Sequence, residues 1–158
     1  MAEEEHVTSE RALIVGAGSG LSASLARLLA KNGFAVALAA RNADKLAALA
    51  AETKATVHAC DATERASVDR LVAGLGELDL VVYNASARAV GPLVELDPAE
   101  VERALRVCAL GGFHIAQAVA RDMIARGRGS ILLTGASASV KGYANSAPFA
   151  MGKFALRG

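Results

Sequence analysis

The chain has 158 residues, 53% of them hydrophobic, enough for one domain with a single substantial core and too few for two ordinary ones. Seventeen basic residues stand against sixteen acidic ones, a formal net charge of +1, which favours neither nucleic acid nor an anionic membrane surface as a partner. The longest apolar runs fall far short of the ~20 residues a bilayer span needs, and none reads as transmembrane.

The first residues, Met1-Ala2-Glu3-Glu4-Glu5-His6, are acidic where a secretory signal carries positive charge ahead of an apolar stretch. That predicts a cytoplasmic protein, with residues 1–10 as an N-terminal tail and residues 11–158 as one nucleotide-binding domain. Residues 12–15, Ala-Leu-Ile-Val, form the first strand-like run. After the turn Gly16-Ala17-Gly18-Ser19-Gly20, residues 21–31 place Leu25, Leu28 and Leu29 on one helical face, and Asn32-Gly33 stops them. A second apolar run covers 35–40, a helix 44–52, a third run 56–59. Helix 64–75 follows, with Thr63 as its expected N-cap. The fourth run is 78–83. The longest helical stretch starts with Asp97 as cap, Pro98 in the first turn and Glu100 at the capping-box position. It runs to Arg126, with a bend expected at Gly111-Gly112. A fifth run, 130–134, precedes a last helix that starts within 145–148 and is still running at Gly158.

Alternation of strand-sized runs with helices is the pattern of a parallel sheet covered on both faces. The expected fold class is therefore α/β with three layers, αβα, and the five apolar runs read as strands buried on both sides. Cys60 and Cys108 are far apart and read as reduced, buried thiols. Neither they nor His6, His58 and His114 show a metal-ligand spacing, so no metal site is expected.

The glycine turn sits between a strand and a helix. Glycines there permit positive φ and close approach of a ligand, and the helix N-terminus offers free N–H groups and partial positive charge. A pyrophosphate is the natural guest, although a tight turn without any ligand uses the same residues. The spacing fits GxxxGxG through Gly16 and Gly20, with Ser22 in the third glycine's place, rather than GxGxxG, where Leu21 stands in that place. The second run ends in Ala39-Ala40-Arg41-Asn42. A site for NAD usually puts Asp or Glu at this strand end to bind the ribose 2′-hydroxyl. Alanines followed by an arginine favour NADP(H) over NAD(H), because a guanidinium pairs bidentately with a 2′-phosphate. A merely solvated Arg41 is the alternative.

Taken together, the glycine turn, Cys60-Asp61-Ala62, Tyr83-Asn84-Ala85-Ser86, and Gly111 with Gln117 resemble, in order and spacing, the landmarks of the short-chain dehydrogenase/reductase family. The resemblance covers the chain from Arg11 onward. It implies a Rossmann-type doubly wound parallel sheet, and a cofactor site made of Gly16, Gly18, Ser19, Gly20, Leu21, Arg41, Asn42, Asp61, Ala62, Asn84, Ala85, Ser86 and Lys153. Asp61 is then the partner of the adenine amino group, or else a cap of the following helix, and residues 84–86 line the adenosine ribose. Family members show Asn-Asn-Ala-Gly at this point, so Tyr83 and Ser86 are departures.

The family's active site joins a Tyr-x-x-x-Lys pair on the last helix, a serine after the fifth strand and an asparagine in the long helix. Here the pair reads Phe149-Ala150-Met151-Gly152-Lys153, and Phe149 has no hydroxyl with which to exchange a proton. Aligned without gaps, the serine position falls on Ala136 and the asparagine position on Cys108. A one-residue shift brings Ser137 or Ser139 into play. Two functions follow. One is an NADP(H)-dependent oxidoreductase in which Lys153, Ser137, Tyr143 or a water replaces the tyrosine and a small molecule is the substrate. The other is a catalytically inactive NADP(H) binder, a sensor or structural subunit.

The resemblance also implies a homodimer or homotetramer formed through the long helix and the last helix. Family members continue beyond the last helix with a strand and with helices that close the substrate pocket, so most of the substrate-specificity region is expected to be missing. An open sheet edge beyond the fifth run predicts association or poor stability.

Overall fold

A computed structural model of the chain describes residues 9–158; most of the expected tail lies outside them. The five apolar runs form one parallel sheet: β1 (Arg11–Val15), β2 (Ala35–Ala40), β3 (Thr56–Ala59), β4 (Leu80–Tyr83) and β5 (Ser130–Leu133), in the order β3-β2-β1-β4-β5. Glu10 is tied to this sheet, accepting from the Ala35 N–H at 2.8 Å, and the Ser9 hydroxyl donates to the Gly33 carbonyl in the turn before β2. The connecting helices are α1 (Leu21–Lys31), α2 (Ala47–Thr53), α3 (Arg65–Leu75), α4 (Pro98–Leu105), α5 (Gly111–Arg126) and α6 (Ala147–Arg157). None of them is long and apolar enough to cross a membrane.

Strand alternation builds the three layers. Leu13, Val15, Ala37, Ala39, Val81 and Tyr83 face one side and pack with Val68 and Leu71 of α3 and Ile115, Val119 and Met123 of α5. Ile14, Val36, Leu38 and Val82, the intervening residues, face the other side with Ala23 and Ala26 of α1 and Leu49 of α2. A two-residue side-chain period sends neighbours to opposite faces, so each central strand feeds two cores. The expectation that all five runs are buried on both sides holds for β1, β2 and β4 and is corrected for β3 and β5. These two are the sheet edges, and β5 leaves Leu132 53% and Leu133 40% exposed.

The long helical stretch is α4 and α5 joined by a π-turn at Arg106–Leu110, so its irregularity precedes the glycine pair. The glycines serve packing instead. A Cβ on Gly111 would lie 2.2 Å from the Tyr83 hydroxyl oxygen, and one on Gly112 2.6 Å from the Leu156 side chain. Tyr83 is fully buried and donates to the Val107 carbonyl at 2.5 Å, within the turn where helical pairing is interrupted. Gly111→Ala is expected to cost about 1–3 kcal/mol by overpacking. Urea unfolding measures this, and Tyr83→Phe in the same chain should recover part of the loss. Asp97 caps α4 as expected, accepting from the Ala99 N–H at 2.9 Å, whereas Glu100 pairs with Arg103 and completes no capping box.

Candidate functional site

Strand register decides which residues meet. Val15 pairs with Ala39 on one side and Tyr83 on the other, Ala39 with His58, and Tyr83 with Leu133. The carboxyl ends of all five strands therefore form one row, and the strand order reverses between β1 and β4. Ligand clefts of open α/β sheets form outside such a reversal.

A cleft of about 810 Å³ lies there, lined by residues 16–19, residues 40–42 with Lys45, residues 60–63, residues 83–86 and Val107. It brings together Gly16, Gly18, Ser19, Arg41, Asn42, Asp61, Ala62, Asn84, Ala85 and Ser86 from four separate connections. Gly20 and Leu21 stand just outside, at the N-cap position and first residue of α1. Lys153 and the other expected catalytic positions do not line this cleft.

Gly16 differs from the other two glycines of the turn. Gly16 has φ +80°, and a Cβ there would fall 2.3 Å from the Ala85 backbone N, so it lets the turn press against the loop after β4. Gly18 and Gly20 face open space within 4 Å of where a Cβ would sit; no protein atom demands glycine there. No side chain caps α1 and its first turn carries no acid, which leaves its N–H groups and partial positive charge for an anion. A dinucleotide pyrophosphate fits this arrangement. Ser22, in the third glycine's place, is buried; its hydroxyl donates to the Gly16 carbonyl at 3.2 Å and accepts from the Asn84 amide at 2.8 Å. Asn84 thus braces the turn as well as lining the cleft.

At the other end of the cleft, Asp61 Oδ1 accepts from both the N–H and the hydroxyl of Thr63, at 2.9 and 2.7 Å. Thr63 is consequently not the cap of α3; Glu64 holds that position without a side-chain bond. Burial works to raise the Asp61 pKa, but the Thr63 bonds together with Arg41 and Arg106 outweigh it and hold the carboxyl below its ordinary value. The resulting stabilisation is fully present above the unfolded aspartate value of about 3.9 and is lost as pH falls through the folded one. Stability of Asp61→Asn, followed by urea unfolding between pH 6 and 3, should fall less steeply with acid than that of the wild type. Arg41 and Lys45 are both exposed on the cleft wall, and neither is in a salt bridge among the described residues. Lys45 escaped the sequence reading; its i,i+4 spacing from Arg41 was the available signal.

The expected catalytic positions gather around α6. Lys153 is only 3% exposed, and its Nζ donates to the Thr134 carbonyl at 2.7 Å, just past β5. Burial lowers its pKa, Cys108 opposing and Arg88 reinforcing the shift. Phe149 packs with Cys108, Ala138 and Ala150, and Ala136 lies against them. Cys108 exchanges contacts with Ala87, accepting from its N–H at 3.5 Å and donating to its carbonyl at 3.4 Å. The buried Ser139 hydroxyl accepts from the Ala136 N–H at 3.1 Å, which commits it to its own loop. Ser137 and Tyr143 are exposed, Tyr143 beside the Lys141 ammonium 5.0 Å from its ring. No described hydroxyl bonds Lys153.

The sequence model of the family described as short chain dehydrogenase matches residues 10–158. The chain belongs to the short-chain dehydrogenase family. Among relatives of the chain, a sorbitol dehydrogenase from Cereibacter sphaeroides is 37% identical over 132 residues, covering 80% of this chain and 52% of that one. A D-erythrulose reductase from Gallus gallus is 32% identical over 148 residues, covering 92% and 60%. A solved gluconate 5-dehydrogenase from Burkholderia cenocepacia J2315, in complex with NADP and tartrate, is 38% identical with a TM-score of 0.84, covering 94% and 62%. The structure of an NAD+-bound xylitol dehydrogenase is 30% identical with a TM-score of 0.87, covering 93% and 60%. The fold is thus the family's Rossmann-type sheet, whose members bind nicotinamide cofactors. The chain spans between half and three fifths of the length of the curated relatives just named.

Proposed function

We propose that the chain is the NADP(H)-binding part of an oxidoreductase that moves hydride between the nicotinamide cofactor and a small carbonyl or alcohol substrate, with a proton donor other than residue 149. The observation that carries this reading is the cleft itself: a pyrophosphate-sized turn at one end and, at the other, Arg41 and Lys45 where a carboxylate would select NAD(H). The named relatives are dehydrogenases and reductases of small polyols and sugar derivatives, which supports the substrate class.

Residues 16–19 with the α1 N-terminus would hold the pyrophosphate, Asp61 with Ala62 the adenine, and residues 84–86 the adenosine ribose. Arg41, Asn42 and Lys45 would surround the 2′-phosphate, and Lys153 would reach the nicotinamide ribose. The cofactor supplies or accepts the hydride. The protein must supply the proton, and Phe149 lacks the group. The experiment is a fluorescence titration of purified protein with NADPH and NADH. Tighter binding of NADPH supports the reading, and no binding of either at millimolar concentration overturns it.

The surroundings of Lys153 favour a second reading, an NADP(H)-binding sensor or structural subunit, because Ser139 is committed elsewhere and Ser137 and Tyr143 are exposed. In either case we expect self-association through α5 and α6. Support comes from Phe113, 56% exposed, from Met151 and Phe154, 49% and 46% exposed, and from Leu110 of the π-turn, also exposed. A single monomeric species in analytical ultracentrifugation would overturn that expectation.

A further inference from the structure

Two departures from the family's active site act together on a third residue. Cys108, at the asparagine position, holds the backbone of Ala87 through its N–H and its carbonyl. Phe149, at the tyrosine position, packs against Cys108. Between them they seat Arg88: its backbone follows the pinned Ala87, and its guanidinium carbon lies 4.3 Å from the centroid of the Phe149 ring. Lying over an aromatic face orients the planar guanidinium while leaving its N–H edge free for a bidentate acceptor.

No described residue occupies that edge. Among the described residues Arg88 makes no side-chain hydrogen bond and no salt bridge, and it is exposed. The Lys153 ammonium lies 5.8 Å from the same ring centroid, buried and bonded to one carbonyl, with no carboxylate paired to it. The exposed guanidinium and the buried ammonium thus share one ring with no counter-charge among the described residues, and a carboxylate arriving from solvent would meet positive charge of both.

We propose that Arg88, seated on Phe149 and supported by the charge of Lys153, binds the carboxylate of an acidic substrate, so that the ligand class at this centre is a small hydroxy or oxo acid. This rests on the oxidoreductase reading for the word substrate, but the anion site stands on its own geometry.

The test uses malonate as the probe carboxylate, malonamide as its neutral analogue and inorganic phosphate, each titrated calorimetrically into the whole chain with and without saturating NADPH. Malonate is expected to bind in both conditions and malonamide not to bind. Arg88→Gln should weaken malonate by about tenfold or more, the usual consequence of losing a charge-assisted pair, with NADPH affinity and melting temperature unchanged. Arg70→Gln on α3 serves as the control for general charge. Equal malonate binding in Arg88→Gln and wild type overturns the proposal, as does equal binding of malonamide. Phosphate binding as tightly as malonate and displaced by NADPH also overturns it, because the anion would then be the cofactor's. Failure of NADPH to bind, with Arg88-dependent malonate binding retained, defeats the nucleotide reading and leaves the carboxylate site standing.

Discussion

Phe149→Tyr is expected to raise carbonyl reduction by about a hundredfold to ten-thousandfold, the range a positioned general acid contributes, where no other group of the chain already donates the proton. Residue 149 lies one helical turn before Lys153 on the same face of α6, and the Lys153 ammonium is already 5.8 Å from the centroid of its ring. A hydroxyl added to that ring enters a site with a buried cation beside it, which favours the phenolate and tunes the group toward proton exchange. The change keeps the ring, so the contacts with Cys108 and Arg88 survive. NADPH oxidation against a panel of small ketoses and oxo acids measures the effect, and its pH profile should acquire a limb that the wild type lacks. Activity appearing only in the variant identifies the natural chain as a non-catalytic binder. Comparable activity in both shows that another group donates the proton, and Tyr143→Phe and Ser137→Ala then locate it.

The second large effect concerns cofactor choice. Arg41→Ala should weaken NADPH by tenfold to about a hundredfold, since one charge-assisted pair contributes about 1.5–3 kcal/mol, while NADH binding changes little. Lys45→Ala should add a smaller loss in the same direction. Arg41 is exposed and unpaired among the described residues, with Asp61 close enough to feel its charge. A doubly charged 2′-phosphate gives it a stronger partner than any the protein provides. Fluorescence titrations at two salt concentrations check the mechanism: the difference between wild type and Arg41→Ala should shrink as salt screens the exposed cation. Equal losses for NADPH and NADH would assign Arg41 to general binding rather than to selection of the 2′-phosphate.

The chemistry written locally in the chain was legible. Short apolar runs separated by helical periodicity specify a parallel sheet, because each strand must be covered on both faces and each crossover requires a helix. The glycine turn, Arg41 and Asp61 each begin within two residues of a strand end, so their shared place at the carboxyl edge follows from the strands alone. The replacement of tyrosine by Phe149 was equally visible, since it is a change of type at one position of a local pattern.

What only the tertiary structure decided depends on residues distant in sequence meeting in space. Strand order makes β3 and β5 edges, and no property of their own residues announces it. The glycines after the π-turn look like a hinge in sequence, yet they make room for Tyr83 and Leu156. Asn84 braces Ser22 across 62 residues of chain, and Cys108 pins Ala87 across 21. The seat of Arg88 needs residues from the loop after β4, the π-turn and α6 at once. Periodicity and spacing encode the one-dimensional neighbours of a side chain; packing selects the rest, and the chemistry around Lys153 belongs to the second kind.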